Sequence, residues 1–139
     1  MLASEQLGKD RPGLSSKLGQ LFRTRTLLMV EVPPVFRAVM KFGHEQTVLF
    51  THRQLLDGGV LQTVRPEVIV APLMSKTWDI LDLGADLERF GHRGQVCVLT
   101  EPLPHIELIS KEIADKFPSL MISLIEVLGS SSRNRLSVR

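Results

Sequence analysis

A chain of 139 residues, 43% of them hydrophobic and 23% charged, is long enough for one domain with a substantial core and too short for two. Its single cysteine excludes an intramolecular disulfide, and no run of about 18 apolar residues is present to span a membrane. The amino terminus lacks the apolar stretch of a signal peptide, so we expect a cytoplasmic protein without membrane contact.

The formal net charge of +2 is unevenly distributed along the chain. Residues 1–25 contain five basic and two acidic residues, the last ten contain three basic and no acidic residue, and the body between them is acidic. Basic ends can hold nucleic acid, or they can be solvated ends without a partner. So few charges, with little aromatic content nearby, favour solvated ends, and we do not expect a nucleic-acid partner.

The first 24 residues form an extension that precedes the domain. Residues 1–13 show no hydrophobic periodicity, which predicts disorder. The apolar residues that follow share one face of a short amphipathic helix: Leu14, Leu18, Leu21 and Phe22. A helix this short needs a partner to be stable in water, either the domain or a second copy.

Two strand–helix units are predicted before the centre of the chain. The first strand spans residues 25–30, and Pro33 or Pro34 suits the first turn of a helix that ends near residue 42. The buried face of that helix would be Val35, Val39 and Phe42. After a second strand at residues 47–50, Thr51 would cap a second helix. The apolar face of this second helix would be Leu55, Leu56 and Val60.

The third strand is the most strongly marked element. The run Val68-Ile69-Val70-Ala71 lies between prolines, a pattern typical of a strand buried on both faces of a parallel sheet. Proline cannot donate to a sheet ladder, so Pro72 should mark the carboxyl end of the strand. Ligands bind at this end of the strands in open α/β sheets, so Pro72 stands where an active site would be.

An amphipathic helix is predicted between the third and fourth strands. Ser75 or Thr77 would cap it, and it would last to Phe90. Trp78 near its start would either anchor a partner or cover the edge of the core. Its acidic residues would form a solvated face: Asp79, Asp82, Asp86 and Glu88.

The alternation of strands and helices continues to the end of the domain. A fourth buried strand spans residues 95–100 and holds Cys97 as an inert apolar side chain. A fourth helix has an apolar face at Ile106, Ile109, Ile113 and Phe117. Residues 120–127 form the fifth strand, and residues 129–139 form a polar tail.

This alternation predicts an α/β fold over residues 25–128. The fold would be a five-stranded parallel sheet with helices on both faces and right-handed crossovers, because no hairpin signal interrupts the pattern. The segment after residue 128 is too polar to bury a helical face. A last helix is therefore expected to be short or missing, which leaves one flank of the sheet exposed, or covered by residues 14–23 or by a second subunit.

Three sequence blocks stand in a familiar order: VEVPP at residues 30–34, RPEVIV at 65–70 and VCVLT at 96–100. Their order and spacing resemble the receiver domain of two-component response regulators, over residues 26–127. The resemblance implies a flavodoxin-like, receiver-like sheet. No single block is specific, because buried strands have similar sequences, and the order of the blocks carries the match.

Position by position, the resemblance implies a receiver whose chemistry is lost. Receivers accept a phosphoryl group on an aspartate at the end of the third strand, where this chain has Pro72. Glu31 matches one member of the acidic pair that holds Mg²⁺, but Val32 occupies the other position. Thr100 matches the hydroxyl residue that ends the fourth strand, and no lysine ends the fifth. We therefore expect a pseudo-receiver that is not an enzyme and binds no metal or cofactor.

The function implied is that of a signalling module in a two-component or related bacterial pathway, acting through protein–protein interaction. Receivers usually bind partners through the fourth helix and the fifth strand, and an open sheet edge also invites a homodimer. The predicted partner surface comprises Ile106, Ile109, Ile113, Phe117, Ile122 and Leu124.

A second hypothesis is a small flavodoxin-like enzyme or ligand-binding domain. Ser75, Thr100 and His105 all follow strands at the carboxyl edge of the predicted sheet, where a nucleophile and a base would have to meet. The histidines of the chain stand at no metal-ligand spacing, so a zinc site is not expected.

Overall fold

Five strands form one sheet in the computed structural model, which describes residues 25–38, 40–43 and 45–127. The strands are β1 (Thr26–Val30), β2 (Thr47–Thr51), β3 (Val68–Pro72), β4 (Gln95–Thr100) and β5 (Met121–Glu126). Every neighbouring pair is parallel, and the order is β2-β1-β3-β4-β5. This is the strand order of flavodoxin-like α/β folds, so the predicted fold class is confirmed. The extension 1–24, the tail 129–139 and any last helix lie outside the described residues.

Four α-helices accompany the sheet within the described residues. They are α1 (Pro34–Arg37), α2 (Gly58–Val64), α3 (Ile80–Arg89) and α4 (Ile106–Lys116). Helices α2, α3 and α4 pack on one face of the sheet, and α1 packs on the other. In this part of the chain no helix has the length and apolar character needed to cross a membrane.

Helix α1 is shorter than the sequence pattern predicted. It is a single turn that ends at Arg37, and Val35 and Phe42 are exposed, at 37% and 36%. The residues that pack against the sheet are Phe36 and Met40, each 7% exposed, and they stand four positions apart. The predicted buried face was therefore out of phase, and Val39 lies outside the described residues.

Helix α2 begins later than predicted, and its cap is a different residue. Thr51 is the last residue of β2, and the Asp57 carboxylate caps α2 by accepting a hydrogen bond from the Val60 N–H at 2.8 Å. Leu55 lies in a 3₁₀ turn and is 62% exposed, whereas Leu56 and Leu61 enter the core. An aspartate before a helix satisfies N–H groups that have no partner within the helix, and this local effect sets the start.

Helix α3 is capped by Asp79 rather than by Ser75 or Thr77. The Asp79 side chain accepts from the backbone N–H groups of Leu81 and Asp82, and the Asp82 carboxylate accepts from the Asp79 N–H. This reciprocal pair is a capping box formed by two aspartates. Asp79 and Asp82, which were predicted to belong to a solvated face, therefore cap the amino-terminal end of α3.

The core lies on both faces of the sheet. Side chains of alternate strand residues, such as Leu28 and Ile69, join α2, α3 and α4 in one cluster, and Leu27 and Met29 join α1 in the other. Helices α3 and α4 approach each other closely at Gly84. A Cβ atom at Gly84 would lie 2.5 Å from the ring of Phe117, so only glycine fits this contact without a shift.

Candidate functional site

The carboxyl end of β3 is apolar and closed. Pro72 ends the strand in register with Leu99 of β4, and its side chain is fully buried. The chain then turns away, with the Leu73 N–H donating to the Leu99 carbonyl at 2.8 Å. The carboxyl end of β3 therefore offers no polar side-chain atom and no access to solvent at Pro72.

Glu31 connects three segments at the carboxyl edge of the sheet. It follows β1 with a φ of 52°, and its backbone N–H donates to the Thr51 carbonyl at 3.0 Å. Its Oε2 accepts hydrogen bonds from the Arg53 backbone N–H at 3.0 Å and from the Trp78 Nε1 at 2.9 Å. The carboxylate is thus held between the ends of β1 and β2 and the indole of Trp78.

Trp78 is placed by a tight turn between β3 and α3. The Ser75 N–H donates to the Trp78 carbonyl at 2.7 Å, and the Ile80 N–H donates to the Leu73 carbonyl at 3.0 Å. This turn directs the indole back onto the core, where it is only 6% exposed. Trp78 therefore covers the edge of the core, which is one of the two roles predicted for it.

Asp86 lies between two arginines from different parts of the chain. Its Oδ2 accepts from the Arg53 Nε at 2.6 Å, and its Oδ1 accepts from the Arg89 Nη2 at 3.1 Å. Asp86 is 8% exposed, so the sequence-based expectation of a solvated position is wrong here. A buried carboxylate needs such partners, because an unpaired buried charge is strongly unfavourable. The hydrogen bond and charge of Asp86 raise the pKa of Arg53 above its ordinary value.

These residues line a cavity of about 360 Å³. We call it the polar pocket and define it by Glu31, His52, Arg53, Trp78, Asp86 and Arg89. It lies beside the end of β1, between the segment after β2 and helix α3. Sequence reasoning identified only Glu31 as a site residue here. The spacing of Asp86 and Arg89 (i, i+3) was a detectable signal, whereas the pairing with Arg53 depends on the tertiary fold.

The residues predicted for an enzyme or ligand site line neither of two cavities in the part of the chain that the structure describes. Thr100 is 6% exposed, and its Oγ1 donates to the neighbouring Glu101 carbonyl at 3.0 Å. His105 is exposed at the start of α4 with a φ of 57°, and Ser75 lies in the turn before Trp78. None of the three lines the polar pocket.

The six residues of the predicted partner surface are mostly inward-facing. Ile113, Phe117 and Leu124 are core residues with exposures of 4%, 3% and 5%, so their side chains hold α4 on the sheet. The remaining three are half-buried and pack against the same cluster: Ile106, Ile109 and Ile122. The exposed apolar side chains of these elements are instead Leu108 and Met121, at 61% and 60%.

A second cavity, of about 370 Å³, lies between helices α3 and α4. We call it the α3–α4 groove and define it by Leu73, Met74, Ile80, Leu81, Ile109 and Ile113. Met74 and Leu81 are 71% and 41% exposed, so the groove presents apolar side chains to solvent. Asp79, Glu112 and Lys116 add charge to its lining.

Over residues 25–38, 40–43 and 45–127, no group of three or more His, Cys, Asp or Glu side chains is arranged to hold a metal ion. Glu31 has Val32 as its neighbour, and Val32 is buried at 7% exposure.

No protein-family model, no curated protein and no solved structure matches this sequence.

Proposed function

We propose that this chain is a receiver-like signalling module that cannot be phosphorylated at the receiver position and acts by binding another protein. The proposal includes a role in a two-component or related bacterial pathway. It takes its support from the strand order, from the inert end of β3 and from the exposed apolar surface on α3 and α4.

The observation that carries the proposal is the hydrogen bond between the Trp78 indole and Glu31. In folds with this strand order, ligands bind in the crevice where the order reverses, between β1 and β3. Here Glu31, which follows β1, already accepts two hydrogen bonds, and a buried indole lies against it. A divalent ion at this edge would compete with both donors for Oε2, and it would find no second carboxylate at Val32.

The surface available to a partner is the α3–α4 groove together with Leu108. Apolar side chains that are exposed side by side are typical of protein interaction sites, whereas scattered ones are not. Met74 and Leu81 line the groove together and meet this description, and Leu108 is a further exposed apolar side chain on α4. These side chains replace the inward-facing ones of the predicted surface. A second copy of the chain is one possible occupant of this surface.

A photo-crosslinking amino acid tests this surface. Placed at Met74 or Leu81, it should give a discrete covalent adduct in cells, with one partner protein or with a second copy of the chain. The same amino acid at Gln62, an exposed polar position of α2, is the control. The proposal fails if the groove positions give no adduct, or if Gln62 gives the same adducts in the same yield.

The competing hypothesis is an enzyme that uses Ser75, Thr100 and His105, and it makes a prediction about the hydroxyl of Thr100. It requires the hydroxyl of Thr100 to face a substrate, whereas this hydroxyl donates to a backbone carbonyl. A competent site would place Thr100 beside His105, so a Thr100→Val variant would shift the NMR signals of the His105 ring. We expect these signals to be unchanged in the variant.

A further inference from the structure

The polar pocket contains more hydrogen-bond donors than the protein itself uses. Arg53 and Arg89 each donate one guanidinium N–H to Asp86, and within the described part of the chain neither makes another side-chain hydrogen bond. A guanidinium carries several N–H donors in a planar fork and has no acceptor. Most donors of both forks are therefore left for a group inside or above the pocket.

The acceptors of the pocket, in contrast, are largely occupied. Both oxygens of Asp86 accept a hydrogen bond from an arginine, and the Oε2 of Glu31 accepts two. The two carboxylates of the pocket, Glu31 and Asp86, balance the formal charge of its two arginines, so the imbalance lies in the number of N–H donors. A ligand that fits this imbalance supplies hydrogen-bond acceptors.

The two arginines are also held in place before any ligand arrives. Asp86 fixes both guanidiniums from opposite oxygens, and the Arg89 guanidinium lies over the Phe90 ring at 4.9 Å from its centroid. Their side chains remain accessible, at 33% for Arg53 and 69% for Arg89. Side chains fixed in advance lose less conformational entropy on binding, which favours affinity.

The geometry points to a binding site for a small oxyanion, a carboxylate or a phosphate carried by a metabolite, held by Arg53 and Arg89 in the polar pocket. Paired guanidinium forks match the two oxygens of such groups. A cavity of about 360 Å³ is at the small end of the range of ligand pockets. The indole of Trp78 forms one wall of the site. The inference does not depend on the proposed signalling function.

Trp78 is the only tryptophan of the chain, so intrinsic fluorescence reports directly on this pocket. The probes are inorganic phosphate and acetate, added to the full-length protein at constant ionic strength by replacing chloride. A saturable fluorescence change with phosphate alone indicates a phosphate ligand, and a change with acetate alone indicates a carboxylate ligand. A change with both probes indicates that the site accepts either group. The absence of a saturable change with either probe would overturn the inference.

Two matched variants separate this site from general charge effects. Arg89→Gln removes one fork, and Arg93→Gln removes an exposed arginine that does not line the pocket. We expect binding to weaken by at least about tenfold in the first and by less than about twofold in the second. Equal weakening in both, or unchanged binding in Arg89→Gln, would contradict the proposed site. Far-UV circular dichroism checks that both variants fold; Asp86 keeps its ion pair with Arg53 in Arg89→Gln, and Arg93 is an exposed residue.

Discussion

The hydrogen bond between Trp78 and Glu31 should have a measurable coupling free energy. The indole Nε1 and the carboxylate Oε2 are 2.9 Å apart, and the indole is 6% exposed. A hydrogen bond to a charged group contributes about 1.5–3 kcal/mol. Because Glu31 is half-exposed and keeps its bond from the Arg53 backbone, we expect a value near the lower end, about 1.5 kcal/mol.

A double-mutant cycle with Trp78→Phe and Glu31→Gln measures this coupling. The free energy of unfolding is obtained from urea denaturation followed by far-UV circular dichroism, since Trp78→Phe removes the fluorophore. The phenyl ring also leaves a cavity, but this packing loss occurs in both arms of the cycle and cancels in the coupling term.

The control cycle replaces Glu31→Gln with Glu101→Gln, at an exposed position. Independent sites add to within about 0.5 kcal/mol, so the control coupling should fall inside that limit. A Trp78–Glu31 coupling that also falls inside it would refute the conclusion that this bond closes the crevice between β1 and β3.

Two further predictions concern the packing of α3 and the residues that follow it. Gly84→Ala should lower the free energy of unfolding by about 1–3 kcal/mol, because its Cβ would lie 2.5 Å from the Phe117 ring. In a Phe117→Leu background the same substitution should cost less. A Gly84→Ala variant as stable as the wild type would contradict this contact. Burial lowers the pKa of His92, and its Nε2 has no hydrogen-bond partner among the described residues, so the unfolded chain binds the proton more readily than the folded one. The contribution of neutral His92 to stability is therefore complete above the unfolded pKa of about 6.5 and is lost as the pH falls below it. The free energy of unfolding, measured by urea denaturation at a series of pH values, should depend less on pH in a His92→Gln variant.

The sequence was sufficient for the elements with strong periodic signals. The apolar run at Val68–Ala71 and the amphipathic pattern from Ile106 predicted β3 and α4 nearly to the residue, because burial on both faces or on one stripe leaves a clear mark. Helices α1 and α2 were misplaced because local effects set their bounds. The carboxylate of Asp57 starts α2, and the phase of Phe36 and Met40 decides which face of α1 is buried.

The polar pocket was beyond sequence reasoning for a different physical reason. Arg53 and Asp86 are 33 positions apart, and Trp78 and Glu31 are 47 positions apart. Such contacts arise from the strand order, which brings the segment after β2 beside α3. The resemblance to receivers implied Glu31 as a remnant acidic position, the amphipathic pattern predicted Asp86 as a solvated one, and only the fold joins them in one site.

The most direct test of the central claim is an amide NMR spectrum recorded with and without Mg²⁺ and beryllofluoride, a stable mimic of the phosphoryl group. We expect no Mg²⁺-dependent shifts at Ala71 and Thr100, because Pro72 offers no acceptor and the Oε2 of Glu31 already accepts two hydrogen bonds. Shifts confined to Arg53 and Arg89 that do not require Mg²⁺ would belong to the oxyanion site. Saturable, Mg²⁺-dependent shifts at Ala71 and Thr100 would contradict the account.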